Sequence, residues 1–311
     1  MDDLPLILTS LWQQAPVLVA AYDSFDRLQF ANLAFRAAFF LGEDERPLWS
    51  EIMRRNFALQ RGTVLKTNDF EQWLVATQSR RGKLGYRAFE TDLYDGRWLW
   101  MTETVQSDGW MLCIASDVTD LRPDERAVRQ ARDFAIKASF TDELTGIANR
   151  RFVLARVSEM IAGASRREGV IGSVALLDLD HFKVVNDRFG HQTGDQILRD
   201  FAHRIQATVR RTDCFGRFGG EEFVLVMPDT DGEQAAEILG RMLCLIRDTR
   251  PIPEQPEFIY SFSAGIAVAE NGDTAARLFD KADGALYAAK LAGRDCIRLH
   301  GQGLTDAPAI G

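Results

Sequence analysis

The stretch Gly219-Gly220-Glu221-Glu222-Phe223 sets two glycines and two adjacent carboxylates between Arg217-Phe218 and the apolar run Val224-Leu225-Val226-Met227. Two apolar arms rich in Phe and Val, joined at a glycine pair, read as a β-hairpin whose tip lets the backbone approach a ligand closely. Adjacent acids repel each other, so a Glu-Glu pair at such a tip is tolerated mainly where a cation or a proton-transfer role compensates. Taken alone, the motif is that of a solvated turn. Its context adds chemistry. The run Val174-Ala175-Leu176-Leu177 is apolar enough for a fully buried strand and leads directly into Asp178-Leu179-Asp180-His181-Phe182-Lys183. Asp178 at that strand end, with Glu221 and Glu222, would offer the hard oxygen ligands that Mg²⁺ prefers and leave positions for phosphate oxygens and water. Lys183 is a candidate phosphate contact, or a lysine simply solvated in a loop. Asn186 and Asp195 bracket Gly190-His191 and Gly194; an amide plus a carboxylate complements guanine's O6 acceptor and its N1–H and N2–H donors. Singly, each would serve as a turn or N-cap residue.

The elements that must position these residues alternate from Asp142 onward. Helices are expected over 150–162, 194–208, 231–247 and 274–291, strands over 170–178 and 259–269, and the hairpin over 217–227, the pattern of an α/β sandwich with helices on a central sheet. Before it, strands over 17–22, 28–31, 86–94, 98–106 and 110–116, the last three separated by Asp95-Gly96 and Asp108-Gly109, read as an antiparallel meander, with helices over 33–41 and 49–60. The whole is a two-domain chain, α+β then α/β: residues 1–118, a helical linker over 119–141, residues 142–300, and a tail from 301 expected to be disordered. Asp124 to Phe140 is free of glycine and proline, and its stripe Ala127, Ala131, Phe134 and Ala138 suits a short two-stranded coiled coil or packing on a neighbouring domain.

With 311 residues, 46% hydrophobic and 26% charged, the chain has material for two cores. A formal net charge of -8 argues against a nucleic-acid or anionic-membrane surface. The four cysteines, Cys113, Cys214, Cys244 and Cys296, lack Cys-x-x-Cys spacing, so neither a zinc site nor a disulfide framework is signalled. There is no basic n-region, and the apolar stretch from Ala15 to Tyr22 is too short to span a bilayer, so a cytoplasmic, unanchored protein is expected.

Five motifs in register resemble the GGDEF-domain diguanylate cyclases over about 142–299: Asp142 to Arg150, Asp178 to Asp187 with Gly190-His191 and Gly194-Asp195, Gly219 to Phe223 in its Glu-Glu form, Ser263 to Ile266, and Tyr287 to Arg294. The resemblance implies a fold related to palm-type nucleotidyl cyclases and polymerases, and condensation of two GTP into cyclic di-GMP with release of pyrophosphate. It further implies that Asp178, the Leu179 carbonyl, Glu221 and Glu222 hold Mg²⁺, with Mn²⁺ as the alternative ion. Glu221, ahead of Glu222, would assist loss of the 3′-hydroxyl proton. Asn186 and Asp195 would bind guanine, Lys183, Lys290 and Arg294 the phosphates, and Phe182 and His191 complete the substrate-binding set. Arg210 and Asp213 resemble the family's Arg-x-x-Asp product-inhibition site, with Arg241 a secondary contact. One domain binds one GTP in this family, so a homodimer is implied. Ile147 and Asp295 depart from the usual Leu and Asn, and the second would weaken GTP binding slightly. The competing reading is a catalytically silent receptor for GTP or cyclic di-GMP, but every acid and lysine the chemistry needs is present.

The first domain, with Gly96-Arg97-Trp98-Leu99-Trp100 and Ser116 to Asp120, resembles a PAS sensory domain, paired through the linker helix in the implied dimer. All four histidines lie at 181 or later, which excludes a histidine-ligated haem there and leaves its ligand unknown. Trp73, Trp98, Trp100, Trp110 and Phe89 form plain core or line a pocket.

Overall fold

A computed structural model of the chain describes residues 4–120, 139–164, 170–252 and 255–301. The chain divides into two units, residues 1–139 with 210–212 and residues 140–209 with 213–311. The expected linker helix falls almost wholly in 121–138, and the expected disordered tail in 302–311, both outside the described residues.

In the first unit, β1 (Leu18–Tyr22), β2 (Leu28–Ala31), β3 (Tyr86–Asp92), β4 (Trp98–Val105) and β5 (Met111–Asp117) form one antiparallel sheet in the order β2-β1-β5-β4-β3. Both Asp-Gly pairs lie between strands, and Gly96 and Gly109 take φ values of 90° and 85°, left-handed backbone that glycine adopts without strain. Helices α2 (Leu33–Phe39) and α3 (Trp49–Ala58) match the apolar spacing; α1 (Leu4–Gln14) and α4 (Phe70–Gln78) add to it. Tyr22, Leu28, Phe35, Phe39, Leu99 and Met111 fill the core. Of the aromatic residues left open between core and pocket, Trp98 is buried whereas Trp100 and Trp110 are exposed.

That core also encloses charge. Glu103, only 1% exposed, pairs with Arg81 and, at 2.8 Å, with Arg87. Arg81 also reaches Asp26 at 3.1 Å and lies over the rings of Tyr22 and Trp49 at 4.9 and 4.6 Å. Burial pushes the Glu103 carboxyl up, but the Arg81 and Arg87 guanidiniums outweigh it and hold it below the ordinary carboxylate range.

In the second unit, β6 (Gly172–Leu179) is buried at every position. It lies at the centre of a sheet ordered β10-β9-β6-β8-β7, where β7 is Cys214–Gly219, β8 Glu222–Pro228, β9 Phe262–Val268 and β10 Ile297–Leu299. All pairs are antiparallel except β10 on β9. Around it run α5 (Arg150–Ala164), α6 (Phe182–Phe189), α7 (His191–Thr208), α8 (Gly232–Arg247) and α9 (Ala275–Leu291). Asp231 and Thr274, expected as first helical residues, are instead the N-caps of α8 and α9, their side chains accepting from the amides of Gln234 and Arg277.

Two packing contacts fix where the polar ends of these elements lie. Phe201 of α7 meets Phe223 of β8 and Phe262 of β9 at centroid distances of 4.8 and 5.5 Å, and burying each such ring stabilises the unit by about 3 kcal/mol. A Cβ on Gly265 would stand 2.1 Å from the Leu286 amide nitrogen, so α9 rests on β9 with no side chain between them. Among the described residues no helix is long and apolar enough to cross a membrane.

Candidate functional site at the acidic end of the central sheet

The β7–β8 hairpin turns at Gly220-Glu221, with Gly220 at φ 51°. Its register sets Glu222 directly across from Asp178 on β6. Glu221 is half-buried and Glu222 exposed, and the Leu179 amide donates to the Glu221 carbonyl at 3.3 Å. The turn is braced from behind. Arg217 donates from Nε to the Gly220 carbonyl at 2.9 Å and pairs with Asp142 at 3.3 Å. Asp142 in turn accepts from the Thr145 amide and hydroxyl, so the opening motif is a brace for the hairpin.

From the other side, the last turn of α9 brings Lys290 Nζ to 2.9 Å from Asp178 Oδ2. Asp178 is buried, and burial pushes its carboxyl above the ordinary range against the pull of Lys290 and, more weakly, of Arg294. Glu221 is likewise pushed up, by burial first and then by the charge of Asp178. Asp178, Leu179, Glu221, Glu222, Lys290 and Arg294 are thus gathered around one sheet end. Among the described residues no three His, Cys, Asp or Glu side chains form a metal centre by themselves. The donor set is all hard oxygen and carries more negative charge than Lys290 offsets, which fits a divalent cation whose remaining ligands come from phosphate oxygens and water.

A second cluster lies on α6 and α7. Phe182 and Asn186 point from α6 onto Gly194, where a Cβ would stand 1.9 Å from Asn186 Oδ1 and 3.2 Å from the Phe182 ring. Gly194 is therefore needed for Asn186 to lie across α7, and Asp195, the next residue along α7, is half-buried. Lys183 occupies the first turn of α6 and is exposed; the loop expected there is helical, because Val185 and Phe182 bury one face of a short amphipathic turn. His191 is exposed at the start of α7, and Arg241 is exposed on α8. Arg210 is half-buried and falls with the first unit, whereas Asp213 is buried and falls with the second.

Two features escaped sequence reasoning. Asp295 pairs with Arg247 at 2.9 Å. Asp180 is 7% exposed and accepts from Ser261 Oγ, Ser263 Oγ and the Asp295 amide at 2.6, 2.7 and 3.0 Å. Its place in Asp178-Leu179-Asp180 hinted at a role, but its partners lie more than 80 residues away.

These features define an α/β domain whose polar site sits at one end of a largely antiparallel sheet. The family model described as diguanylate cyclase, GGDEF domain, matches residues 139–296, half of the chain, and the chain belongs to that family. It is similar to the diguanylate cyclase DgcP of Pseudomonas aeruginosa, 34% identical over 61% of this chain and 28% of the relative. Against the response regulator PleD of Caulobacter vibrioides it is 36% identical over 55% of this chain and 38% of the relative. The chain thus spans well under half the length of these two curated relatives. Among solved structures, the coiled coil and GGDEF domain of DgcB from Caulobacter crescentus, in complex with c-di-GMP, aligns with a TM-score of 0.54 and 28% identity, over 58% of this chain and 96% of that one.

Proposed function

We propose that the second unit is a diguanylate cyclase that joins two GTP molecules into cyclic di-GMP and releases two pyrophosphates. The observation that carries this reading is the cross-strand pair Asp178–Glu222 with Lys290 on Asp178. In each half-reaction the 3′-oxygen of one GTP attacks the α-phosphorus of the other, and the bond to the pyrophosphate oxygen breaks. Glu221, in the turn, takes up the 3′-hydroxyl proton. Lys290 and Arg294 offset the charge of the phosphates, while Asn186 and Asp195 hold guanine by its O6, N1–H and N2–H groups. Bound to Asp178, the Leu179 carbonyl and the glutamates, a divalent cation would stabilise the charge developing on the transferring phosphate.

A site that holds one GTP closes a two-fold symmetric product only against a second copy, so the working form is a homodimer. The five-stranded antiparallel sheet with helices between β2 and β3 supports a PAS-like sensory role for the first unit. The Arg210-x-x-Asp213 spacing in the sequence supports inhibition of the cyclase by its product.

Incubating the purified full chain with GTP and Mg²⁺ or Mn²⁺ and chromatographing the products tests the central claim. Cyclic di-GMP is expected, with a loss of about a hundredfold in Glu222→Gln. GTP binding without product, unchanged in Glu222→Gln, would leave a receptor.

A further inference from the structure

The turn after α9 combines three successive residues with left-handed backbone, Gly293, Arg294 and Asp295, at φ 106°, 67° and 49°. For the two non-glycine residues that conformation is unfavourable and persists only where surroundings impose it. Two contacts impose it here. Arg247 Nε grips the Asp295 carboxylate at 2.9 Å while its Nη2 reaches the Asp295 carbonyl at 2.9 Å. From the interior, buried Asp180 takes the Asp295 amide on the same oxygen that receives Ser261. The other Asp180 oxygen receives Ser263, which lies across from Asp178 in the β6–β9 register.

Asp180 therefore ties three segments to one carboxylate: the end of β6 that carries Asp178, the start of β9, and the turn that carries Arg294. We propose that Asp180 is a positioning residue that sets the distance between the acidic side of the triphosphate site, at Asp178, and its cationic side, at Arg294. It touches neither substrate nor ion and acts through the Asp295 amide. This rests on the reading of the site as one for GTP.

Asp180→Asn tests it, because an amide keeps an acceptor for Ser263 but turns an N–H donor toward the Asp295 N–H. The dissociation constant and KM for GTP are expected to rise about tenfold, the value of one lost charge-assisted hydrogen bond, with kcat within about threefold of the parent. In an Arg294→Ala background the same substitution should add less than about twofold, because the turn then carries no guanidinium to misplace. Should Asp180→Asn fail to fold, Arg247→Ala, on the exposed side of the turn, takes its place in the cycle with the same expected non-additivity. Additive effects in the cycle, or unchanged GTP affinity in a folded Asp180→Asn, overturn the proposal. Affinity is read by direct GTP titration, so a parent protein that binds GTP but forms no cyclic di-GMP would sink the cyclase reading and leave this one tested. A parent that binds no GTP overturns both.

Discussion

Lys290 Nζ stands 2.9 Å from Asp178 Oδ2, and through that pair the last turn of α9 is bound to the end of β6. The lysine orients the carboxylate and, in the proposed cyclase, offsets the charge of the phosphates. Lys290→Ala is expected to lower kcat/KM for GTP by one to two orders of magnitude, about what loss of a charged hydrogen bond gives. Steady-state rates of cyclic di-GMP formation measure it, and a change below threefold would contradict the assignment.

In the proposed cyclase Asp178 trades stability for function. Its folded-state pKa is raised, so ionisation at neutral pH works against the fold: the stabilising, protonated form is lost as pH rises through the raised value. Asp178→Asn should abolish turnover while raising the melting temperature of the second unit by about 2 °C at pH 7. A lower melting temperature would show that the Lys290 pair outweighs desolvation.

Gly194→Ala sets two effects of similar scale against each other. Alanine improves helix propensity by about 1 kcal/mol, but its Cβ would overlap Asn186 Oδ1 and drive the amide off α7. Thermal stability should therefore move little, while preference for GTP over ATP in a competition titration falls about tenfold. Retained preference would remove Asn186 from base recognition.

The buried ion pairs of the first unit offer a pH signature. Glu103 has a folded pKa below its ordinary 4.5, so its stabilisation is complete above that value and fades as pH falls through the lower, folded pKa. Glu103→Gln should destabilise the unit by about 3 kcal/mol at pH 7, with the gap to the parent closing as pH falls through the lowered, folded pKa. All six tryptophans lie between positions 12 and 110, so tryptophan fluorescence follows the unfolding of this unit separately. A gap independent of pH would mean that packing, rather than charge, is what the substitution removes.

Much of the site was readable because its residues signal locally. An unbroken apolar run ending in Asp178 could only be a buried strand, and Gly-Gly between apolar arms marked the hairpin that faces it. Thr274 and Asp231 announced the helices they cap to within a residue. By contrast, α4 has only Leu74 and Val75 buried, and α6 spans eight residues, both too short for a periodic pattern to rise above the loop around them. The three-residue β10 exists because β9 offers it a parallel edge, which no local property reveals. Asp180 was opaque for the same reason: its function is defined by Ser261, Ser263 and Asp295, which only folding brings together.

The pairing of Asp178 with Glu222 makes turn length a chemical variable. Glu222 opens β8 and takes its place from the ladder, whereas Glu221 takes its place from the turn before it, so a slip of β8 by one residue would set a different side chain across from Asp178. Inserting a single residue between Gly219 and Glu222 would change where Glu221 stands relative to Asp178 while leaving every acid in the sequence. The hairpin works as a measuring device, and an intact roster of acids can still encode an inert domain.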